Sequence, residues 1–79
     1  MNLYHISQNQ NTDYDTFDSA IVAAETSEIA RNIVPNEGST FEQRHNAWCD
    51  SPGKVTVVLI GEATPKTLRG VVLASFNAG

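Results

Sequence analysis

The sequence predicts a small α+β domain, a β-β-α-(α)-β-β chain whose four strands form a mainly antiparallel sheet with one main helix packed on one face. Three observations carry this. Four short stretches rich in β-branched or aromatic residues are separated by turn-forming segments. One amphipathic stretch, with a start signal and a proline stop, lies between the second and third of them. The chain has 79 residues, which makes a single domain, 1–79, with a thin stability margin that self-association would widen.

Leu3-Tyr4-His5-Ile6-Ser7 reads as the first strand, because Tyr and Ile suit extended backbone. The polar run 8–13 ends it, since Asn and Asp side chains bond nearby backbone and favour turns. Residues 19–24 admit two readings. Their alanines allow helix, and the β-branched pair Ile21-Val22 favours strand. Strand is preferred, because a better helix start follows at Thr26-Ser27-Glu28, with a capping hydroxyl and an acid at the positive helix end. Over 27–34, Ile29, Ala30, Ile33 and Val34 share one face, with Arg31 and Asn32 opposite. Pro35 stops the helix by disfavouring helical geometry in the residue before it.

Ser39-Thr40-Phe41-Glu42 has the form of a capping box and predicts a short second helix to about Trp48, burying Phe41, Ala47 and Trp48. Asp50-Ser51-Pro52-Gly53 is the clearest turn. Residues 54–60 form the strongest strand, with Val55, Val57 and Leu59 on one face and Val58 and Ile60 on the other. Apolar residues on both faces predict a central or doubly covered strand. Thr64-Pro65 suits one helical turn, and residues 70–76 are the last strand.

Net charge is −4 and uneven: residues 1–40 carry six carboxylates against Arg31, and the remainder is slightly basic. An acidic half disfavours phosphate backbones, and Lys54, Lys66 and Arg69 are too sparse for a nucleic-acid face, so direct nucleic-acid binding is not expected. The acidic half suits a partner with a basic surface, or serves only solubility. The single cysteine, Cys49, precludes an internal disulfide and fits a reducing cytoplasm. No secretory leader is expected after Met1, and the longest apolar run, Val57-Val58-Leu59-Ile60, is far short of a membrane span.

Asp13, Asp15 and Asp18 lie within six residues, interleaved with Tyr14 and Phe17. Clustered carboxylates hold Ca²⁺ or Mg²⁺ only in a ligand pattern that this spacing lacks. Acids that steer encounter and aromatics that supply contact area make Asp13, Tyr14, Asp15, Phe17 and Asp18 the candidate partner-binding residues. The blander account has the acids solvated and the aromatics covering one end of the core. His45 and Cys49 are four apart, with only His5 left as a third zinc ligand, too few for the usual three or four. Nothing orients a His for nucleophilic chemistry on Cys49. The glycines are isolated and form no phosphate loop. The expectation is a binding protein with no catalytic residue, metal or cofactor.

Three stretches carry a resemblance: Leu3-Tyr4 with Ile6-Ser7-Gln8, then Tyr14 through Ala24, then Arg69 through Gly79. They resemble a group of small proteins encoded by bacteriophages and prophages. The resemblance implies a phage setting in the host cytoplasm and stoichiometric action on host machinery. It brings no functional residues with it. The function expected first is a phage-encoded, non-enzymatic inhibitor that binds a host protein, foremost in a defence system such as CRISPR. The alternative is an oligomer that traps a small ligand, such as a nucleotide signal, and so counters host immunity.

Val57→Asp is expected to unfold the domain by placing a carboxylate against the core. Loss of the far-ultraviolet β signal checks this, and an all-helical wild-type spectrum would overturn the fold assignment.

Overall fold

The first two strands form the centre of the sheet. In the computed structural model, which describes residues 1–12, 14–36, 41 and 47–77, β1 (Asn2–Ser7) and β2 (Thr16–Ala24) pair antiparallel, Asn2 against Ala24 through Ser7 against Ser19. β3 (Thr56–Glu62) adds antiparallel to the free side of β1, and β4 (Gly70–Asn77) to the free side of β2. The order is therefore β3-β1-β2-β4. A four-stranded antiparallel sheet with one short helix, the predicted class, is what the chain builds.

The strand pattern sorts side chains strictly by face, as period-2 geometry requires. Tyr4 and Ile6 of β1 and Ala20, Val22 and Ala24 of β2 turn to one side and are buried. That side is covered by Ala30, Val34, Trp48, Cys49 and Val55, with Phe41, Ile29, Ile33 and Val57 packed at its margin. Trp48 is fully buried. The alanines facing it leave room for an indole near the sheet, so small and large residues alternate across the layer.

The helix is shorter than the sequence predicts. α1 runs Ser27–Arg31 rather than to Val34. Its start is as expected: Thr26 is extended and its Oγ1 accepts from the Ile29 N–H at 3.2 Å. Its end comes early because Asn32 leaves helical geometry (φ −93°, ψ 0°) while its side-chain amide donates to the Glu28 carbonyl at 2.8 Å. An Asn that bonds the backbone competes with the helix, and Ile33, Val34 and Pro35 do not restart it. Val34 nevertheless reaches the core.

Two further expectations change. The strand at 54–60 is predicted to be central or doubly covered. It begins at Thr56 and lies at the edge, with Val58, Leu59 and Ile60 at least half exposed. Its apolar residues mark an uncovered face and edge, and Ile60 is the extra residue of a bulge between Tyr4–Leu59 and Leu3–Gly61. The predicted second helix falls mostly on residues 37–40 and 42–46, outside the described residues. What is described nearby is a 3₁₀ turn, Pro52–Lys54, where the Asp50-Ser51-Pro52-Gly53 turn was expected.

Polar contacts fix the irregular segments. Gln8, largely buried, donates from Nε2 to the carbonyls of Asn11 (2.7 Å) and Phe17 (2.9 Å). Its Oε1 accepts from the backbone N–H of Gln10 (3.0 Å) and Asn11 (2.8 Å). One amide thus closes the loop joining β1 and β2. That loop is tied to the segment after Trp48: Gln10 Nε2 donates to Asp50 Oδ2, the Asp50 N–H donates to Gln10 Oε1, and Asn11 Nδ2 donates to the Trp48 carbonyl. The Gln10 amide and then Lys54 Nζ hold the Asp50 carboxyl below its ordinary pKa. At the far end Arg31 Nη1 donates to the carbonyls of Pro52 and Val55, fastening α1 to the approach to β3.

Gln8→Ala removes four hydrogen bonds, each of net worth about 0.5–1.5 kcal/mol. Urea denaturation is expected to show a loss of about 2–4 kcal/mol, comparable with about 3–5 kcal/mol for Trp48→Ala. Val57→Asp should cost less than Trp48→Ala, because an edge position leaves the carboxylate partly hydrated. A Gln8→Ala variant as stable as the wild type would show that water closes the loop equally well.

Candidate functional site

The sheet has a second face, and its composition differs from the first. Register places three rows across it. Val58, His5, Ile21 and Leu73 stand side by side on β3, β1, β2 and β4. Thr56, Ser7, Ser19 and Ser75 form the adjoining row, and Gly61, Leu3, Ala23 and Gly70 the one beyond. None of these residues is Asp, Glu, Lys or Arg. Ala23 is buried, but the middle of the face is open: Leu73 is 65% and Val58 50% exposed. Gly70 permits the turn into β4, with φ +137°, a conformation side chains rarely adopt.

A groove of about 350 Å³ lies on this face, lined by His5, Ser19, Ala20, Ile21, Leu73, Ala74 and Ser75. Its floor is low because between the Ser19–Ser75 and Ile21–Leu73 pairs lies the backbone of Ala20 and Ala74, whose side chains turn to the core face. Bulges at Asp18 and Val72, where β2 and β4 slip register, bend the strands around it. An apolar concavity with a few neutral polar groups is the ordinary form of a small-molecule site.

The acidic turn is only partly assembled as a surface. Asp13 lies outside the described residues. Tyr14 is 74% exposed beside Asp15, which takes the left-handed conformation (φ 62°) that Asp tolerates in turns. Phe17 turns away from this tip: its ring packs on Phe76 with centroids 4.8 Å apart, and its N–H donates to the Ala47 carbonyl at 2.8 Å. Asp18 is exposed on β2, and its carbonyl accepts from the Gln8 N–H. Tyr14, Asp15 and Asp18 therefore present side chains to solvent, while Phe17 is partly committed to packing.

The residues considered for zinc are separated. Cys49 is buried in the core and its Sγ lies 3.4 Å from the Ser51 carbonyl. His5 is on the opposite face of the sheet, and His45 lies outside the described residues. Among the described residues no three His, Cys, Asp or Glu side chains gather as metal ligands, and no helix is long and apolar enough to cross a membrane. Arg69 is engaged by Glu25, with Nη2 at 2.8 Å from Oε2, and this bond lowers the Glu25 pKa.

Comparison with protein-family models, with curated proteins and with solved structures finds no match. The geometry is the guide. Sequence reasoning missed the groove, whose lining is contributed by β1, β2 and β4 and becomes contiguous only through strand order and register. The one available signal was the polar or small partner at every second position of otherwise apolar strands.

A chelator is expected to leave the melting temperature unchanged, and elemental analysis to find no stoichiometric zinc. One zinc retained per chain would return His45 and Cys49 to consideration.

Proposed function

We propose that this chain is a phage-encoded, non-enzymatic binding protein that counters host defence, and that it works as an oligomer taking up a small ligand, such as a nucleotide signal, on its open sheet face. The observation that carries this reading is the groove on an uncharged, uncovered face. Its volume lies at the lower end of the ~300–1,000 Å³ usual for small-molecule sites. A second copy laid over that face would bury its exposed apolar residues and enclose the groove, gaining stability for a chain of limited core. Opposed faces without charged residues bring no like charges together, although each chain carries −4. The phage setting rests on the resemblance at both chain ends and across 14–24.

A second reading, inhibition of a host protein such as a CRISPR component through its basic surface, is favoured by one observation. Tyr14 stands exposed beside Asp15 and near Asp18, an aromatic anchor among acids.

Light scattering and native mass spectrometry of protein recovered from host cells with defence signalling active separate the two. The first reading expects a mass that is a multiple of 8.6 kDa and a small molecule released on denaturation. Re-adding that molecule at a hundred times its Kd should stabilise the fold by about 2.7 kcal/mol. A ligand-free monomer that co-purifies with a host protein would overturn it. If that association also weakens with salt and in the triple variant Asp13→Asn, Asp15→Asn, Asp18→Asn, the acidic turn is the working surface.

A further inference from the structure

The row Thr56–Ser7–Ser19–Ser75 crosses all four strands on the open face. Neighbouring strands are ~4.8 Å apart, so four hydroxyls mark a line of ~14 Å. Cross-strand Ser and Thr pairs commonly bond one another. Here, among the described residues, none of the four hydroxyls has a protein hydrogen bond, whereas the hydroxyls of Thr26, Thr64 and Thr67 do. Ser19 and Ser75 line the groove, directly beside Ile21 and Leu73. Two chemistries thus run in parallel, two residues apart along each strand: the mainly apolar row Val58–His5–Ile21–Leu73, and a row of groups that each donate and accept.

We infer that this hydroxyl row is the specificity element of the groove, and that the part of a ligand held there is an uncharged flat ring bearing hydroxyl or amide groups along one edge. The inference rests on the small-ligand reading and deepens it. The ring lies over Ile21 and Leu73, and its polar edge meets Ser19 and Ser75. A phosphate finds no counter-charge in the groove: His5 is its only ionisable lining residue, and the nearest row neighbours from β3, β2 and β4 are Val58, Ile21 and Leu73. Any charged part of a larger ligand therefore extends out of the groove. The groove's volume of about 350 Å³ has room for one ring system with a small appendage.

The test uses the full chain, adenosine and adenosine monophosphate as probes, and amide chemical shifts as the readout. Adenosine is expected to shift the signals of His5, Ser19, Ile21, Leu73 and Ser75, and the monophosphate to bind no more than about threefold differently. The double variant Ser19→Ala, Ser75→Ala should bind adenosine at least about tenfold more weakly, with its melting temperature retained. Ser19→Thr with Ser75→Thr should restore binding, since the hydroxyls return. Unchanged affinity in the alanine variant, a strong preference for the monophosphate, or no shift at these residues overturns the inference. The two failures are distinguishable: if the alanine variant still carries the cellular ligand in its oligomer, the hydroxyl row falls and the trap stands, whereas a wild-type protein that carries no ligand removes the trap itself.

Discussion

Everything in this fold follows from a shortage of covering material. A four-stranded sheet has two faces, and beyond its strands the described residues supply for cover a five-residue helix, Val34, Val55 and the segments around Phe41 and Trp48. These cover one face. The covered side becomes the core, and its economy is visible in residue choice: alanines on β2 let Trp48 settle near the sheet, so that one large side chain does what a longer helix would otherwise do. The uncovered side keeps its apolar residues, and the three rows described across it hold no Asp, Glu, Lys or Arg.

The polar side chains divide the remaining labour. Gln8 closes the loop between the central strands from inside, where a buried amide must satisfy all its bonding capacity locally, and the four bonds it makes do so. Gln10 and Asn11 then lash that loop to the chain beyond Trp48. Of the exposed ion pairs, Lys54–Asp50 lies within one segment and Arg69–Glu25 joins segments already brought together by the β2–β4 pairing, and pairs of that kind contribute little by themselves. Backbone-directed amides, more than charges, hold the irregular segments.

Local signals in the sequence were read with fair success. β-branched and aromatic residue types between turn segments located all four strands, the helix start was placed at Thr26-Ser27-Glu28, and the Asp50-Ser51-Pro52-Gly53 turn fell where a 3₁₀ turn is found. The errors have separate causes. A strand apolar on both faces looks central when burial is assumed, but β3 is an edge strand whose second face is open. Helix length was overstated because the apolar spacing of Ile33 and Val34 is compatible with a helix, while the side chain that ends it, Asn32, acts through a hydrogen bond that spacing does not encode. The groove was illegible for a deeper reason. Its lining residues are separated by up to seventy positions and meet only through strand order. The acidic turn, by contrast, was conspicuous in sequence because its residues are consecutive, and folding then turned Phe17 away from it.

The strand order 3-1-2-4 also sets a schedule of assembly. The two inner strands are complete by Ala24, so the hairpin at the middle of the sheet leaves the ribosome before the elements that cover and flank it. The helix and the Trp48 segment follow and cover one side of it. β3 then docks on one flank and β4 on the other, each onto an edge that is already formed and antiparallel. Growth outward from a local hairpin keeps the early contacts short in sequence, which favours rapid folding. It also means that the open face exists on the nascent chain, in part, before the sheet reaches its final width.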